Sequence, residues 1–271
     1  MIPKIIHRCW FGSAPMSPLI RKCEESLHRF AAGYELRLWT DADCPDLPFA
    51  AECRRWRKWA LLSDYVRLHA LLHHGGIYLD TDVEVLRPFD DLLGQACFVG
   101  LEHDDLNHRC IGNAVLAAEP GQVFIRECHD MFRWSLASRV KPFYGVKIGN
   151  VVLFRRGLCR YGTQRIGDVR IYSREVLFPH PRRPVGDAYC IHHLEGSWHR
   201  RRGWRQTAAS LAYRTARTAG LARRWLFDPG TMRAWRVSMP RRWDPAAFAR
   251  QLAANRRGET ARETPRPAAS I

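Results

Sequence analysis

Residues 75–85 read Gly75-Gly76-Ile77-Tyr78-Leu79-Asp80-Thr81-Asp82-Val83-Glu84-Val85, two carboxylates one residue apart at the end of a short apolar run that follows a double glycine. Ile77, Tyr78 and Leu79 are β-prone, as in a buried strand of an open α/β sheet, and such sheets bind ligands beyond the carboxyl ends of their strands. Asp80 and Asp82 are therefore expected in a crevice. Two ionised carboxylates held side by side repel each other, and leaving either unpaired in a half-buried site is costly, so the pair calls for a cation. Oxygen ligands suit Mn²⁺ or Mg²⁺, which complete their shells with water and substrate phosphates. The expected occupant is a metal-diphosphate. A solvated surface turn also contains Asp-X-Asp by chance, and context decides between the two.

That context begins upstream. Leu61, Leu62, Tyr65, Leu68, Leu71 and Leu72 recur at helix spacing, which predicts a helix over roughly 51–74 that packs on the sheet. On it Asp64 and Arg67 lie about one turn apart, with Ser63 beside them. An isolated intrahelical ion pair of this kind is worth only a few tenths of a kcal/mol. Here the helix runs into the glycine turn that feeds the aspartate strand, so its residues can reach the same pocket.

The strings Ser63-Asp64-Tyr65-Val66-Arg67 and His74-Gly75-Gly76-Ile77-Tyr78-Leu79-Asp80-Thr81-Asp82-Val83 resemble the DXD-containing sugar-binding region of glycosyltransferase family 32. Fungal initiating mannosyltransferases, bacterial capsule and lipopolysaccharide transferases and the glucosylating domains of large clostridial toxins share it. Further segments match in order. Ile2 to Gly12 resembles the family's opening strand, and Leu36-Arg37-Leu38-Trp39-Thr40 its second. Asn113 with Ala117 and Glu119-Pro120-Gly121 resembles a central motif, and Ile191-His192-His193-Leu194-Glu195-Gly196-Ser197-Trp198 the closing one. Where relatives often carry Gly-Pro and apolar residues, this chain reads Lys147-Ile148-Gly149-Asn150-Val151-Val152-Leu153, with Gly149 the position carried over as a substrate contact.

The resemblance implies an α/β domain of the GT-A nucleotide-sugar transferase type, with a Rossmann-like mixed sheet, over residues 1–200. It implies that Asp80 contacts ribose or sugar, that Asp82 binds the metal, and that His193 or Ser197 completes the metal or phosphate shell while Trp198 covers the site. His7 and Trp39 are assigned to the pocket wall on the same ground, and Asn113 and Ser63 to substrate binding. The chemistry agrees with these roles. Departure of a nucleoside diphosphate puts negative charge on the leaving group and oxocarbenium character on the sugar. A divalent cation on the leaving phosphate serves as the Lewis acid. Asp64 would accept hydrogen bonds from sugar hydroxyls, and the guanidinium fork of Arg67 would reach sugar or phosphate oxygens. Trp10, at the end of the opening strand, suits either core packing or stacking on a base, the latter worth about 1–3 kcal/mol. The family is retaining, and with no further carboxylate standing out as nucleophile a front-face substitution is expected.

Composition adds a second theme. With 271 residues and 46% hydrophobic content the chain can bury one α/β core plus an appendage. Its nine cysteines are scattered, odd in number and without a Cys-X-X-Cys pair, which predicts a reducing compartment rather than a disulfide framework or zinc site. No apolar stretch approaches about 18 residues, and Met1-Ile2-Pro3-Lys4 has no apolar leader, so a cytoplasmic protein is expected. Residues from 197 onward carry 17 basic against 4 acidic side chains, a balance of +13, whereas residues 1–196 balance to +3. Over Trp204–Phe227 a helical projection groups Trp204, Leu211, Trp225 and Leu226 against Arg205, Arg214, Arg217, Arg223 and Arg224. That pattern fits a helix lying on an anionic membrane, at about 1 kcal/mol per basic residue, or one closing over the catalytic domain.

Residues 201–258 are thus a basic, largely helical appendage, and 259–271 a tail without an apolar period, predicted to lack fixed structure. The expected partners are a nucleotide-sugar donor, with uridine preferred and GDP-mannose next, a saccharide or lipid-linked acceptor, and the inner face of the cell membrane. Nucleic-acid binding is the rival class. Its charge would suit the pI near 10.0, but the charge is confined to the tail and no helix-turn-helix, zinc-finger or RNA-recognition signature is present. A nucleotide-sugar hydrolase is the rival within enzymes.

Overall fold

The computed structural model describes residues 1–45, 48–103, 106, 110–137, 145–180 and 186–196, with residues 250, 253 and 257. The expected appendage and tail, and with them Ser197 and Trp198, lie outside the described residues apart from those three positions. Within the described part the chain is an α/β protein built on one seven-stranded mixed sheet.

The opening strand β1 (Ile5–Cys9) is followed by α1 (Pro18–Phe30) and by β2 (Glu35–Trp39), which pairs parallel to β1. Helix α1 starts where Ser17 caps it, its Oγ accepting from the Ile20 amide at 3.2 Å, with Pro18 in the first turn where no amide proton is needed. Its Ile20, Cys23 and Leu27 stripe is buried. β2 is an edge strand, and its exposed Glu35 and half-exposed Arg37 discourage pairing with another chain.

The helix expected over 51–74 is two helices, α2 (Pro48–Arg55) and α3 (Trp59–His74). Between them Arg57 takes a left-handed φ of +50°, and the Lys58 amide bonds back to the Cys53 carbonyl at 2.8 Å. That is a helix-terminating pattern that apolar periodicity does not register. α3 ends at Gly75, and Gly75 and Gly76 hold φ of +65° and +97°. A Cβ on Gly76 would sit 2.5 Å from the Ile5 carbonyl oxygen, so the glycine is what lets β3 (Gly76–Leu79) turn in alongside β1.

β3 is buried along its whole length between β1 and β6, as expected of a central strand. The remaining elements are β4 (Val83–Val85), β5 (Cys97–Leu101), β6 (Ile111–Ala118), α4 (Val123–Ala137), α5 (Gly145–Arg155), β7 (Gln164–Ile166), β8 (Val169–Tyr172), α6 (Arg174–Leu177) and β9 (Cys190–His192). The large sheet runs β2-β1-β3-β6-β5-β8-β7, and β4 pairs antiparallel with β9 in a separate ribbon. One core packs α2 to α5 against one sheet face. The other, with Leu27, Ile77, Leu79, Val83, Phe89 and Phe178, lies beneath α1 and the ribbon. The nine cysteines are all buried and spread through these layers, where they pack as small apolar residues.

Candidate active site

The site forms where β3 ends and the chain turns over Asp80-Thr81-Asp82 into β4. The Asp80 amide still bonds to the Ala114 carbonyl at 2.9 Å, extending the β3–β6 ladder, and the Val83 amide closes the turn on the Asp80 carbonyl at 3.1 Å. From beneath, the buried Arg8 of β1 donates to the Thr81 carbonyl at 3.2 Å, with Glu24 at 3.7 Å as its counter-ion. A backbone turn tied at three points presents its carboxylates at fixed positions.

Asp80 is held by the side chains that share its neighbourhood. Its Oδ1 accepts from the Tyr78 hydroxyl at 2.8 Å and lies 3.2 Å from Arg67. Tyr78 and Asp80 are two residues apart on a strand, so alternation places them on one side. The same hydroxyl is 3.1 Å from Ser63 Oγ, and the Arg67 guanidinium lies 4.4 Å above the Tyr78 ring. Arg67 also reaches Asp64 at 3.1 Å and donates to the carbonyls of Ser63 at 3.3 Å and Asn113 at 2.5 Å. The Asn113 side-chain amide in turn donates to Asp64 at 2.9 Å. Ser63, Asp64, Arg67, Tyr78, Asp80 and Asn113 are thus one network. Arg67 is 5% exposed and its fork is spent on the protein's own oxygens, which differs from the expectation that it reaches substrate. Burial opposes its charge, and Asp80 and Asp64 more than restore it, holding its pKa above the ordinary value.

Asp82 is anchored from the ribbon. Its Oδ2 accepts from the Glu195 amide at 2.9 Å, and its Oδ1 is 3.5 Å from His192 Nε2. Burial alone would raise the Asp82 carboxyl, but His192 and the Glu195 amide hold it below the usual range. Burial likewise opposes the His192 charge, yet its bonds to Asp82 and Glu102 push its pKa up to about 10. Ligand atoms of Asp80, Asp82 and His192 all lie within 4.8 Å of one another. Two carboxylates and one imidazole fit a hard-to-borderline divalent ion such as Mn²⁺.

The histidine brought to the carboxylates is His192, whereas the expected ligand was His193. His193 turns to the other side and binds Glu84 at 2.8 Å through Nε2, while its amide bonds to the Asp82 carbonyl. Successive residues point to opposite faces of a strand, and the pairing of β9 on β4 decides which of the two faces the turn.

His7 is corrected as well, and Trp39 is half-buried beside it. His7 is 0% exposed and uses both ring nitrogens internally, Nε2 donating to the Gly75 carbonyl at 2.8 Å and Nδ1 accepting from Trp39 Nε1 at 3.1 Å. Burial pushes its pKa down to about 4, so the ring is neutral. It braces the glycine turn at the far end of β3 and cannot form a pocket wall. Trp10 is half-buried at the carboxyl end of β1, its indole donating to the Ala14 carbonyl at 2.9 Å. Gly149 and Asn113 line a small apolar cavity with Leu68, Phe124 and Ile148. A Cβ at Gly149 would meet only Ile111 and Phe124, at 3.8 Å, so packing alone does not demand the glycine. Sequence reasoning missed Tyr78, Arg8, Glu102 and His192. The i, i+2 spacing of Tyr78 and Asp80 was the available signal; the others join through long-range pairing.

The chain is thus a mixed α/β fold whose central strand ends in this Asp-Thr-Asp turn, and comparison with known proteins gives the following likenesses. Residues 18–99 match the family described as "Glycosyltransferase sugar-binding region containing DXD motif". Glucan organizing enzyme 1 of Cryptococcus neoformans var. grubii is 34% identical over 102 residues, covering 33% of this chain and 28% of the relative. Inositol phosphoceramide mannosyltransferase 1 of Schizosaccharomyces pombe is 26% identical over 211 residues, covering 73% of this chain and 62% of the relative. The matched stretches therefore span less than two thirds of both relatives. Among solved structures, the PaToxG glycosyltransferase superposes with a TM-score of 0.48 at 18% identity, over 57% of this chain and 69% of that one.

Proposed function

We propose that this glycosyltransferase is retaining and divalent-metal dependent, and that it moves a hexose from a nucleotide diphosphate sugar to a saccharide or lipid-linked acceptor in surface polysaccharide biosynthesis. UDP-sugars are the preferred donors and GDP-mannose the next. The convergence of Asp80, Asp82 and His192 within 4.8 Å carries the reading. Three ligands at one sheet end leave coordination positions for a diphosphate, as Mn²⁺ and Mg²⁺ sites usually do. The printed name of the S. pombe relative, an inositol phosphoceramide mannosyltransferase, supports a hexose donor and a lipid-linked acceptor.

Asp80, Asp82 and His192 would hold the ion, which when bound supplies Lewis-acid stabilisation of the departing diphosphate. The chain's own residues do the positioning. Arg67 and Tyr78 fix one Asp80 oxygen, and the Glu195 amide fixes one of Asp82, so little reorganisation remains when charge develops. Asp64, oriented by Asn113 and Arg67, accepts hydroxyl hydrogen bonds from the sugar; Ser63, Trp10 and Gly149 contribute to the donor or acceptor pocket. In a front-face substitution the acceptor oxygen attacks the anomeric carbon on the side the diphosphate leaves, and the diphosphate takes the acceptor proton. No protein nucleophile is needed.

Among the described residues no helix is long and apolar enough to cross a membrane. Contact with an anionic membrane on its inner face is proposed for the Arg-rich segment beyond residue 200. The deciding assay is nucleotide release from a panel of UDP- and GDP-sugars, with and without Mn²⁺ and with and without saccharide and lipid-linked acceptors. Acceptor-stimulated, Mn²⁺-dependent release that vanishes in Asp82→Asn is expected. Wild-type rates in Asp82→Asn would overturn the reading, and release indifferent to every acceptor would make the protein a hydrolase.

A further inference from the structure

His192 is held from the side opposite Asp82. Its Nδ1 lies 2.8 Å from Glu102 Oε1, and Glu102 is only 17% exposed. Glu102 follows directly on β5, and its amide bonds to the Cys110 carbonyl at 2.7 Å, just where the β5–β6 register shifts between Val99 and Leu101. A register irregularity re-aims the side chains beyond it. The His192 ring is also set by Phe178, which meets it nearly edge-on, with centroids 6.1 Å apart and planes at 71°. Phe178 sits in a notch made by two glycines: a Cβ on Gly100 would lie 2.8 Å from its ring, and one on Gly112 2.4 Å. Gly100 is in β5 and Gly112 in β6, so both strands are cut away where the ring enters.

We propose that Glu102 is a positioning residue for the metal site. By accepting the His192 Nδ1 proton in a hydrogen bond it fixes the ring so that Nε2 faces Asp82 and is presented to a divalent ion, with the Phe178 wedge limiting ring rotation. A carboxylate behind a ligating imidazole sets both its tautomer and its orientation, and removing such a partner typically costs about 10–100-fold in metal affinity. This rests on the proposed metal site. The adjacent cluster, in which Glu84 bonds His193 at 2.8 Å and Lys22 at 2.9 Å, fastens the same ribbon and provides an internal control.

The test is Mn²⁺ binding to the full-length protein without nucleotide, read from the electron paramagnetic resonance signal of free Mn²⁺, alongside melting curves in chelator. Glu102→Ala is expected to weaken Mn²⁺ binding by about 10–100-fold. Glu102→Gln keeps a carbonyl acceptor for Nδ1 and should stay within a few-fold of wild type. Glu84→Gln should lower the melting temperature and leave Mn²⁺ affinity unchanged. If Glu102→Ala does not fold, Glu102→Met takes its place. Wild-type affinity in the Ala or Met variant, with Asp82→Asn losing Mn²⁺, would overturn the role of Glu102 and leave the metal site standing. A Gln variant as weak as Ala would overturn the orientation argument. Unchanged Mn²⁺ affinity in Asp82→Asn would instead bring down the metal site on which the inference rests.

Discussion

Arg67→Met is the substitution whose outcome the structure constrains most. The guanidinium side chain is 6% exposed, lies 3.1 Å from Asp64 and 3.2 Å from Asp80, and donates to two backbone carbonyls. Methionine keeps the bulk of the stem and deletes the charge. Asp64 and Asp80, 14% and 27% exposed, then lose the guanidinium that both of them face. Removing one partner of a buried ion pair costs about 3–5 kcal/mol, because the remaining charge stays desolvated. Against a typical stability of about 5–15 kcal/mol, that is a large fraction of the total. Urea unfolding followed by tryptophan fluorescence should show the midpoint falling accordingly. Arg67→Lys should fall between, since one ammonium cannot serve two carboxylates and two carbonyls at once. In a double-mutant cycle, Arg67→Met and Asp80→Asn should be strongly non-additive, because Asp80→Asn removes one of the stranded charges. A loss under about 1 kcal/mol, the scale of an exposed pair, would refute the view that Arg67 is an internal support and return it to the substrate.

Three further expectations follow from single sites. Tyr78→Phe removes the hydroxyl that binds Asp80 and Ser63, so stability should drop by about 1 kcal/mol while steady-state kinetics show a larger loss in donor turnover. Gly76→Ala should be far more damaging in thermal melts than Gly33→Ala: both positions have positive φ, +97° and +85°, but only Gly76 would drive its Cβ to 2.5 Å from a carbonyl oxygen, whereas Gly33 has nothing within 4 Å. His7 is neutral when folded, with a pKa near 4 against 6.5 when exposed, so the unfolded chain binds the extra proton between those values. At about 1.4 kcal/mol per pKa unit, His7 alone should remove about 3 kcal/mol of stability as pH falls from 6.5 to 4. In His7→Gln the proton uptake on unfolding in that window should be smaller by about one.

Much of the scaffold is legible in local pattern. The apolar run 77–79 and the double glycine predict a buried strand entered through a turn, and β3 with its φ-positive Gly75 and Gly76 is that strand. The Leu61, Leu62, Tyr65, Leu68, Leu71 and Leu72 stripe predicts the core face of α3, and all of it is buried except Leu72, which is partly buried against the same core. The break at Arg57 escapes the same reasoning, because hydrophobic periodicity reports which face is covered and carries no information on one residue in a left-handed conformation.

By itself, the amino-acid sequence determines that two carboxylates end a central strand and that Asp64 and Arg67 ride on the preceding helix. These follow from neighbours within a turn or a strand, where spacing and side-chain direction are coupled by backbone geometry. The tertiary structure decided what those residues meet. His192 rather than His193 reaches Asp82 because β9 pairs with β4 in one register, and a slip of a single residue would exchange them. Glu102 arrives ninety residues earlier in the chain than the histidine it holds, across a register shift in another sheet. Arg67 is consumed internally because Asn113 and Asp80 close around it from two strands. Contacts between distant segments depend on how the sheet is assembled, and no local periodicity encodes that.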